Sequence, residues 1–272
     1  MKSVPDIEES HRQFREAWTT LGRCSSSGHV YNLPGLRIVD SGQPWVFTNA
    51  AFLTEPVAKP ADLRFRASAA LDQFRLSGNQ WFLSASEEWL GPDADSVLAS
   101  LGLVRALDLT GMVADSLLPV TQPLPNADVR RIEDEGTRIA LAELNAAAYD
   151  VPLEWGRMAI GHERLWQELL FGHVAYIDGR PVAGGFVLPI EGALYVGWVV
   201  TAREYRCRGL AELVTRRSLA DARLATGLER TILHSTASGR SVYLRMGYRP
   251  VATFPIWESS PLGVAPPGIP GT

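Results

Sequence analysis

The chain is poor in cysteine and has no long apolar run. Its 272 residues include two cysteines, Cys24 and Cys207, which are too few and too far apart for a disulfide framework and indicate a reducing compartment. No apolar stretch is long enough to span a bilayer, and the N-terminus, with Asp6, Glu8 and Glu9, is too acidic for a signal peptide. The five histidines are dispersed and no metal-ligand spacing occurs. These absences predict a soluble cytoplasmic protein without a metal site.

A strong excess of charge is also missing. The formal net charge is −4, and 46% hydrophobic with 21% charged residues is an ordinary globular composition. The chain therefore has no general attraction to nucleic acid or to an anionic membrane, and any phosphate-binding charge must be local. The length favours two domains. Residues 118–128 contain three prolines and no helix or strand period, so we place a linker there, which divides the chain into domains at 1–122 and 123–272.

A basic turn at residues 204–209 lies between a strand-like run at 193–201 and a helix-like run at 211–225. The first N–H groups of a helix have no partners within it and carry the positive end of the macrodipole, so an anion fits there. Gly209 allows the backbone to come close to that anion, and Arg206 and Arg208 add positive charge. A turn of this kind also caps helices for purely structural reasons, so on its own it leaves both interpretations open.

A second block at residues 233–248, with Leu233, Gly239, Tyr243, Gly247 and Tyr248, makes the pattern more specific. Together with the Arg-x-x-Gly-x-Ala spacing of the turn, it resembles the GCN5-related N-acetyltransferase (GNAT) superfamily. The resemblance implies an α+β fold with a mixed, mostly antiparallel sheet flanked by helices, and acetyl-CoA as co-substrate.

The hydrophobic periods of the second half are consistent with that fold. They predict a strand at 129–132, helices at 134–149 and from Pro152 to about residue 170, strands at 173–177, 182–189 and 193–201, and then helix, strand, helix and strand. Asp178-Gly179 and Glu191-Gly192 predict hairpin turns.

The first half has a fainter copy of the same order. It reads as a helix at 6–21, strands at 36–40 and 44–53, a helix at 63–76, a strand at 80–85 and a helix at 93–101, but it lacks the Arg-x-x-Gly-x-Ala turn. We interpret the chain as two tandem GNAT-like domains, the first degenerate; an unrelated α/β cap is the alternative.

The resemblance implies where acyl-CoA would bind. Its pantetheine arm would lie between the strand that ends at Thr201 and the one that ends near Ser235, pairing with the backbone as an added strand, and its pyrophosphate would rest on main-chain amides. The implied cofactor-binding residues are Val199, Val200, Thr201, Arg206, Cys207, Arg208, Gly209, Leu210, Ala211 and Ser235.

Tyr243 stands where the family has its general acid. A phenol has a pKa of about 10, so it can protonate the departing thiolate at neutral pH, while the N–H of Val199 or Val200 could stabilise the oxyanion. A core aromatic is the alternative interpretation of Tyr243.

The general base is left open. His173, Glu191, His234, Asp150 and Glu154 are all candidates, and a chain of waters would also serve. Three tryptophans, Trp155, Trp166 and Trp198, could line an acceptor pocket or belong to the core.

We therefore expect an acyl-CoA-dependent N-acyltransferase that moves acetyl from acetyl-CoA to an amine of a small molecule or peptide. A non-catalytic acyl-CoA-binding or regulatory module is the alternative, and a nucleotide-phosphate binder unrelated to CoA is a third. The sequence leaves the acceptor unidentified and does not decide between a monomer and a homodimer.

Overall fold

The computed structural model describes residues 4–168 and 170–259 of the chain. Its helices are α1 (Val4–Cys24), α2 (Pro60–Ser77), α3 (Ala94–Ala99), α4 (Glu135–Ala148), α5 (Leu153–Gly156), α6 (Glu163–Trp166), α7 (Leu210–Thr226) and α8 (Arg240–Met246). Its strands are β1 (His29–Leu33), β2 (Leu36–Asp40), β3 (Ala50–Leu53), β4 (Phe82–Ser84), β5 (Leu103–Ala114), β6 (Asp128–Arg131), β7 (Phe171–Ile177), β8 (Arg180–Ile190), β9 (Ala193–Thr201), β10 (Thr231–Ser235) and β11 (Arg249–Ser259). Among the described helices, none combines the length and hydropathy needed to cross a bilayer.

Local sequence rules account for several element ends. Asp134 caps α4, because its carboxylate accepts from the Thr137 N–H at 2.8 Å. Gly227, at φ 70°, ends α7 in the left-handed region that favours glycine. The two hairpin turns predicted in the second half are confirmed: Asp178-Gly179 and Glu191-Gly192 have positive φ at both positions and join β7 to β8 and β8 to β9.

The described residues divide into two units, one formed by residues 4–111 with 251–259 and the other by 112–250. In the first unit the strands pair in the order β1-β2-β3-β4-β11, with one parallel pair, β3 with β4. One face of this sheet packs on α2 and α3 through a cluster that includes Phe74, Leu83 and Leu98. On the other face Phe14 of α1 contacts the rings of Phe52 and Phe82 at centroid distances of 5.0 and 6.3 Å.

In the second unit the order is β6-β7-β8-β9-β10, again with one parallel pair, β9 with β10. Leu219 of α7 and Met246 of α8 pack with Val196 and Leu233 on one face of the sheet. Helix α4 packs on β8, where the Leu141 side chain lies so close to Gly184 that a Cβ there would be 2.7 Å from it. The sheet is therefore covered by α7 and α8 on one face and by α4 next to Gly184.

Both units repeat one order of elements, and the α+β class is confirmed. In each unit three antiparallel strands are followed by a helix, a strand that pairs in parallel and a short helix. These elements are β1-β2-β3-α2-β4-α3 in the first unit and β7-β8-β9-α7-β10-α8 in the second. This agreement supports the internal duplication, which stays a prediction, as do the domain boundaries at 1–122 and 123–272.

Two expected elements differ in the structure. The strand predicted at 44–53 is a short 3-10 turn, Val46–Thr48, followed by β3. The helix predicted from Pro152 to about residue 170 is broken into α5, a π turn at Arg157–Gly161 and α6. Strand β1 was not predicted, because it is a five-residue strand of exposed and half-buried residues without a regular apolar alternation.

Candidate functional site

Strands β9 and β10 separate at one end. Their parallel ladder covers three residue pairs and ends at Val196 with Leu233, although β9 continues to Thr201 and β10 to Ser235. The edges of both strands beyond this point leave backbone groups that an extended ligand can pair with. The expected pantetheine-binding residues, Val199, Val200, Thr201 and Ser235, all lie along these separated ends.

A β-bulge deforms β9 at the start of this gap. Two residues, Trp198 and Val199, stand opposite Gly185 of β8, and Trp198 has φ 54°. A left-handed non-glycine residue costs roughly 1–2 kcal/mol, so the surrounding structure holds it in place. The Asn145 side chain of α4 contributes by donating to the Trp198 carbonyl at 3.3 Å. Such a bulge turns the following amide groups out of the ladder direction, which is the arrangement an oxyanion-binding N–H at Val199 or Val200 needs.

The turn between β9 and α7 has two residues with positive φ directly before a long helix. A 3-10 turn at Arg203–Tyr205 leads to Cys207 at φ 61° and to Gly209 at φ 79°, which precedes the 17-residue helix α7. The Gly209 carbonyl accepts the first helical hydrogen bond, from Leu213 N–H, so the N–H groups of residues 210–212 have no intrahelical partner. Together with the positive end of the helix dipole, these donors are of the kind that phosphate oxygens bind in other proteins.

The arginine side chains of the turn brace the loop. The Arg206 Nε–H donates to the Thr201 carbonyl at 3.3 Å, and Arg208 donates to the Glu204 carbonyl at 3.0 Å. The Arg208 guanidinium also lies over the Tyr205 ring, 5.1 Å from its centroid. Both guanidinium groups thus hydrogen-bond to backbone carbonyls of the turn that precedes α7. Cys207 is a free, exposed cysteine.

Tyr243 is a buried phenol on α8. It is 8% exposed and its ring packs edge-on against Tyr248 at 5.7 Å. Burial raises the pKa of Tyr243 far above its ordinary value, and the neighbouring phenols of Tyr248 and Tyr149 raise it further. The phenol therefore stays protonated at neutral pH, which is the state that the expected general acid requires.

The structure adds a hydrogen-bonded pair that no sequence signal identified. The Tyr195 hydroxyl of β9 and the Nδ1 atom of His234 on β10 are 3.2 Å apart. Tyr195 is 3% exposed, and burial, followed by the nearby Tyr243 phenol, raises the Tyr195 pKa well above its ordinary value.

The other candidate bases are placed differently. The ring of His173 is buried, with Nδ1 3.1 Å from the Ser218 hydroxyl and Nε2 3.5 Å from the Asp221 carboxylate on α7, and burial lowers its pKa. Glu191 occupies a hairpin turn at φ 41°. Of the three histidine and glutamate candidates near the sheet ends, His234 is the one beside the gap.

The remaining candidates lie on the broken helical segment and its approach. Asp150 has φ 54° and follows α4, and Glu154 is exposed on α5. Trp166 is a packing residue, since its ring contacts Phe186 at 5.7 Å and its Nε1–H donates to the Ile160 carbonyl at 2.7 Å.

Comparisons with known proteins agree with this geometry. Residues 136–248 match the family model described as "Acetyltransferase (GNAT) family". No curated protein matches the chain. Among solved structures, a GCN5-related N-acetyltransferase from Kribbella flavida is similar at a TM-score of 0.68 and 19% identity, over 93% of this chain and 96% of that one.

Two further structures are similar over most of the chain. A GCN5-related N-acetyltransferase-like protein from Streptococcus suis has a TM-score of 0.58 and 15% identity, covering 93% of this chain and 99% of that one. A tandem GNAT protein from the clavulanic acid biosynthesis pathway has a TM-score of 0.53 and 16% identity, covering 83% and 79%. At these identities the likeness concerns the fold.

Proposed function

Because residues 136–248 form a domain of the GNAT family, we propose that the chain transfers an acyl group, in the first place acetyl, from its coenzyme A thioester to an amine of a small molecule or peptide. The observation that carries the proposal is the combination of a separated β9/β10 gap, a bulge beside it and, after the same strand, a helix start whose first N–H groups have no intrahelical partner. One extended thioester with a diphosphate can use all three features.

The side chains and backbone present suit the chemistry of transfer. A neutral amine attacks the thioester carbonyl, and the resulting oxyanion is stabilised by a backbone N–H at Val199 or Val200. When the carbon–sulfur bond breaks, Tyr243 protonates the sulfur. The diphosphate is held by the amides from Arg206 to Ala211, and the arm pairs with the backbone of Val199 and Thr201.

The first experiment measures thiol release from acetyl-CoA by the purified chain with a panel of small amines and peptides. We expect release that depends on one class of amine and an acetylated product in equal amount. A chain that binds coenzyme A and releases no thiol with any amine would instead be an acyl-CoA-binding module.

A pair of glycine variants tests the anion site. Gly209 and Gly227 flank α7 at φ 79° and 70°, so alanine strains the backbone similarly at both positions. Only Gly209→Ala adds a methyl beside the proposed diphosphate, with its Cβ 3.3 Å from Pro125. We expect a comparable loss of stability in both variants and weaker coenzyme A binding in Gly209→Ala alone. Equal coenzyme A affinity in the two variants would contradict the placement of the diphosphate.

A further inference from the structure

Asn145 is a buried amide near the end of α4 whose hydrogen bonds reach the bulge in β9. It is 1% exposed, and its Nδ2 atom donates to the Leu141 carbonyl at 3.0 Å and to the Trp198 carbonyl at 3.3 Å. The first bond stays within α4, one turn back along the helix, whereas the second joins α4 to β9. An amide nitrogen carries two hydrogens, so both are used. The side chain is therefore fixed between the helix and the bulge.

The peptide group between Trp198 and Val199 passes the effect of this contact to an N–H. No cis peptide bond occurs among the described residues, and the carbonyl and the N–H of a planar trans peptide point in opposite directions. Because the Trp198 carbonyl is held toward α4, the Val199 N–H points away from α4. Val199 is one of the two residues expected to supply the oxyanion donor.

The side away from α4 is the one on which the expected general acid packs. Gly184 of β8 faces Leu141 of α4, and Val187, three residues later, packs in the cluster that contains Tyr243 of α8. Side chains alternate along a strand, so α4 and this cluster lie on opposite faces of the sheet. The N–H described above is thus turned toward the face that carries Tyr243.

The backbone of Trp198 needs a restraint of this kind. Its φ of 54° lies in the left-handed region, which is unfavourable for a residue with a large side chain. Gly185 of β8 leaves the space that the bulge occupies, since a Cβ there would be 3.1 Å from the Val199 Cα. That space permits the bulge but does not set the direction of its carbonyl. The Asn145 amide sets it, because it draws the carbonyl to the α4 side.

We propose that Asn145 is a positioning residue for acyl transfer: by holding the Trp198 carbonyl, it fixes the direction of the Val199 N–H that stabilises the oxyanion. The inference rests on the proposed acyl transfer. In this role Asn145 touches neither the thioester nor the acceptor, and it exchanges no proton in the reaction. Its loss therefore lowers kcat, while coenzyme A still binds through its diphosphate and through the backbone of Thr201.

The first test compares two variants of α4. Asn145→Leu removes the donor and keeps a side chain of similar size, so we expect kcat with the amine found in the first experiment to fall by about 100-fold and the coenzyme A affinity to change little. The control, Thr137→Val, removes another buried side-chain hydrogen bond of α4, the 2.8 Å contact of the Thr137 hydroxyl with the Asp134 carboxylate. It should lower Tm and leave kcat nearly unchanged. Equal losses of kcat in the two variants would overturn the proposal.

The infrared band of the bound thioester carbonyl gives a readout that a loss of stability would not change. Acetyl-CoA with an isotope label at the carbonyl carbon is bound without an acceptor. A hydrogen bond to the carbonyl oxygen lowers its stretching frequency, so the band in Asn145→Leu should lie at a higher frequency than in the wild type and in Thr137→Val. The same frequency in the wild type and in Asn145→Leu would contradict the positioning role.

Asn145→Ser separates the two bonds of the amide and covers the case in which Asn145→Leu does not fold. A serine hydroxyl in a helix can donate to the carbonyl four residues back, so the bond within α4 is kept, while the shorter side chain loses the bond to the Trp198 carbonyl. We expect the same fall in kcat and the same change in the infrared band. An active wild type whose Asn145→Ser variant keeps both values overturns this inference alone. A wild-type chain that binds coenzyme A without releasing thiol overturns the proposed function and this inference together.

Discussion

Tyr243 has a neighbouring phenol, Tyr248, that provides a matched control. Both are buried, both rings belong to one cluster and both have strongly raised pKa values. Tyr243→Phe removes the proposed acid while keeping the ring, so kcat should fall by about 100-fold and coenzyme A binding should persist, as measured by thiol release and calorimetry. Tyr248→Phe should leave kcat nearly unchanged. Similar losses in both variants would assign the effect to packing.

His11 is the second residue whose chemistry can be predicted. It is 1% exposed on α1 and stacks on Trp89 at 4.0 Å. Burial lowers its pKa from 6.5 to about 3, and the Arg15 charge adds to the effect. The folded state holds the neutral ring, so its contribution to stability is complete above the unfolded value and is lost as pH falls toward 3, by about 1.4 kcal/mol per pH unit.

Urea unfolding at pH 7.5 and at pH 5.0 would measure this loss. The free energy of unfolding of the wild type should fall more steeply between these pH values than that of His11→Phe, which keeps an aromatic ring against Trp89. Parallel pH dependences in the two proteins would show that folding does not lower the pKa of His11. Comparison with the variant also cancels the contributions of other titrating groups.

At the scale of single residues, the sequence predicted residues whose conformation depends on their immediate neighbours in the chain. It did not predict residues whose contacts are with distant segments. Gly209 could be predicted as a turn residue before a helix, because its positive φ favours glycine. Tyr195 could not, because its contact with His234 links strands 39 residues apart and depends on the register of a parallel pair.

At the scale of elements, the bulge in β9 depends on a glycine in the adjacent strand. A Cβ at Gly185 would lie 2.9 Å from the Val199 Cγ2 atom and 3.1 Å from its Cα. Gly185→Ala should therefore displace the bulge, lower stability by about 1–3 kcal/mol and reduce turnover, as followed by thermal unfolding and thiol release.

Gly197 is the control within β9 itself. A Cβ there would contact Tyr195 and Phe186 at 3.5 and 3.7 Å, which is ordinary van der Waals contact. Gly197→Ala should be milder in both measurements. If the two variants were equally impaired, the position of the bulge would not be what limits turnover.

The broken helix after Pro152 shows where periodicity fails as a guide. Apolar residues at helical spacing predicted a continuous helix, but Gly156 is packed so tightly on α4 that a Cβ there would lie 2.4 Å from the Ala142 carbonyl oxygen. After it comes the π turn, whose end at His162 starts α6 by accepting from Leu165 N–H at 3.3 Å. Packing against another element sets this shape, and a single segment carries no sign of it.

At the scale of the whole molecule, the two units differ in the backbone of the connection that precedes the helix after their third antiparallel strand. The first unit's connection between β3 and α2 has no positive φ among the described residues 54–59, and α2 starts with Pro60, which has no N–H to donate. We predict that coenzyme A titrates a single site per chain in calorimetry. Saturation at two equivalents would instead assign a second site to the first unit.

The order of helices and strands was predictable for the second half because its strands alternate with clear turns. The order in the first half was harder to predict, since its short, solvent-exposed strand β1 has no regular apolar alternation and the β3 region begins as a 3-10 turn. The pairing of β11 with β4 could not be predicted from the sequence, because the two strands are more than 160 residues apart in the chain.

That pairing also decides how the chain can be divided. Ile256, Trp257 and Glu258 supply the antiparallel neighbours of Ser84, Leu83 and Phe82. A truncated polypeptide that stops in the proline-rich linker would leave one edge of β4 without a hydrogen-bonded neighbour. Trp257 would also be missing from the hydrophobic core of the first unit. Bare edges recruit strands from other molecules, so half-length products would self-associate, and this protein is best studied and engineered as one uninterrupted polypeptide.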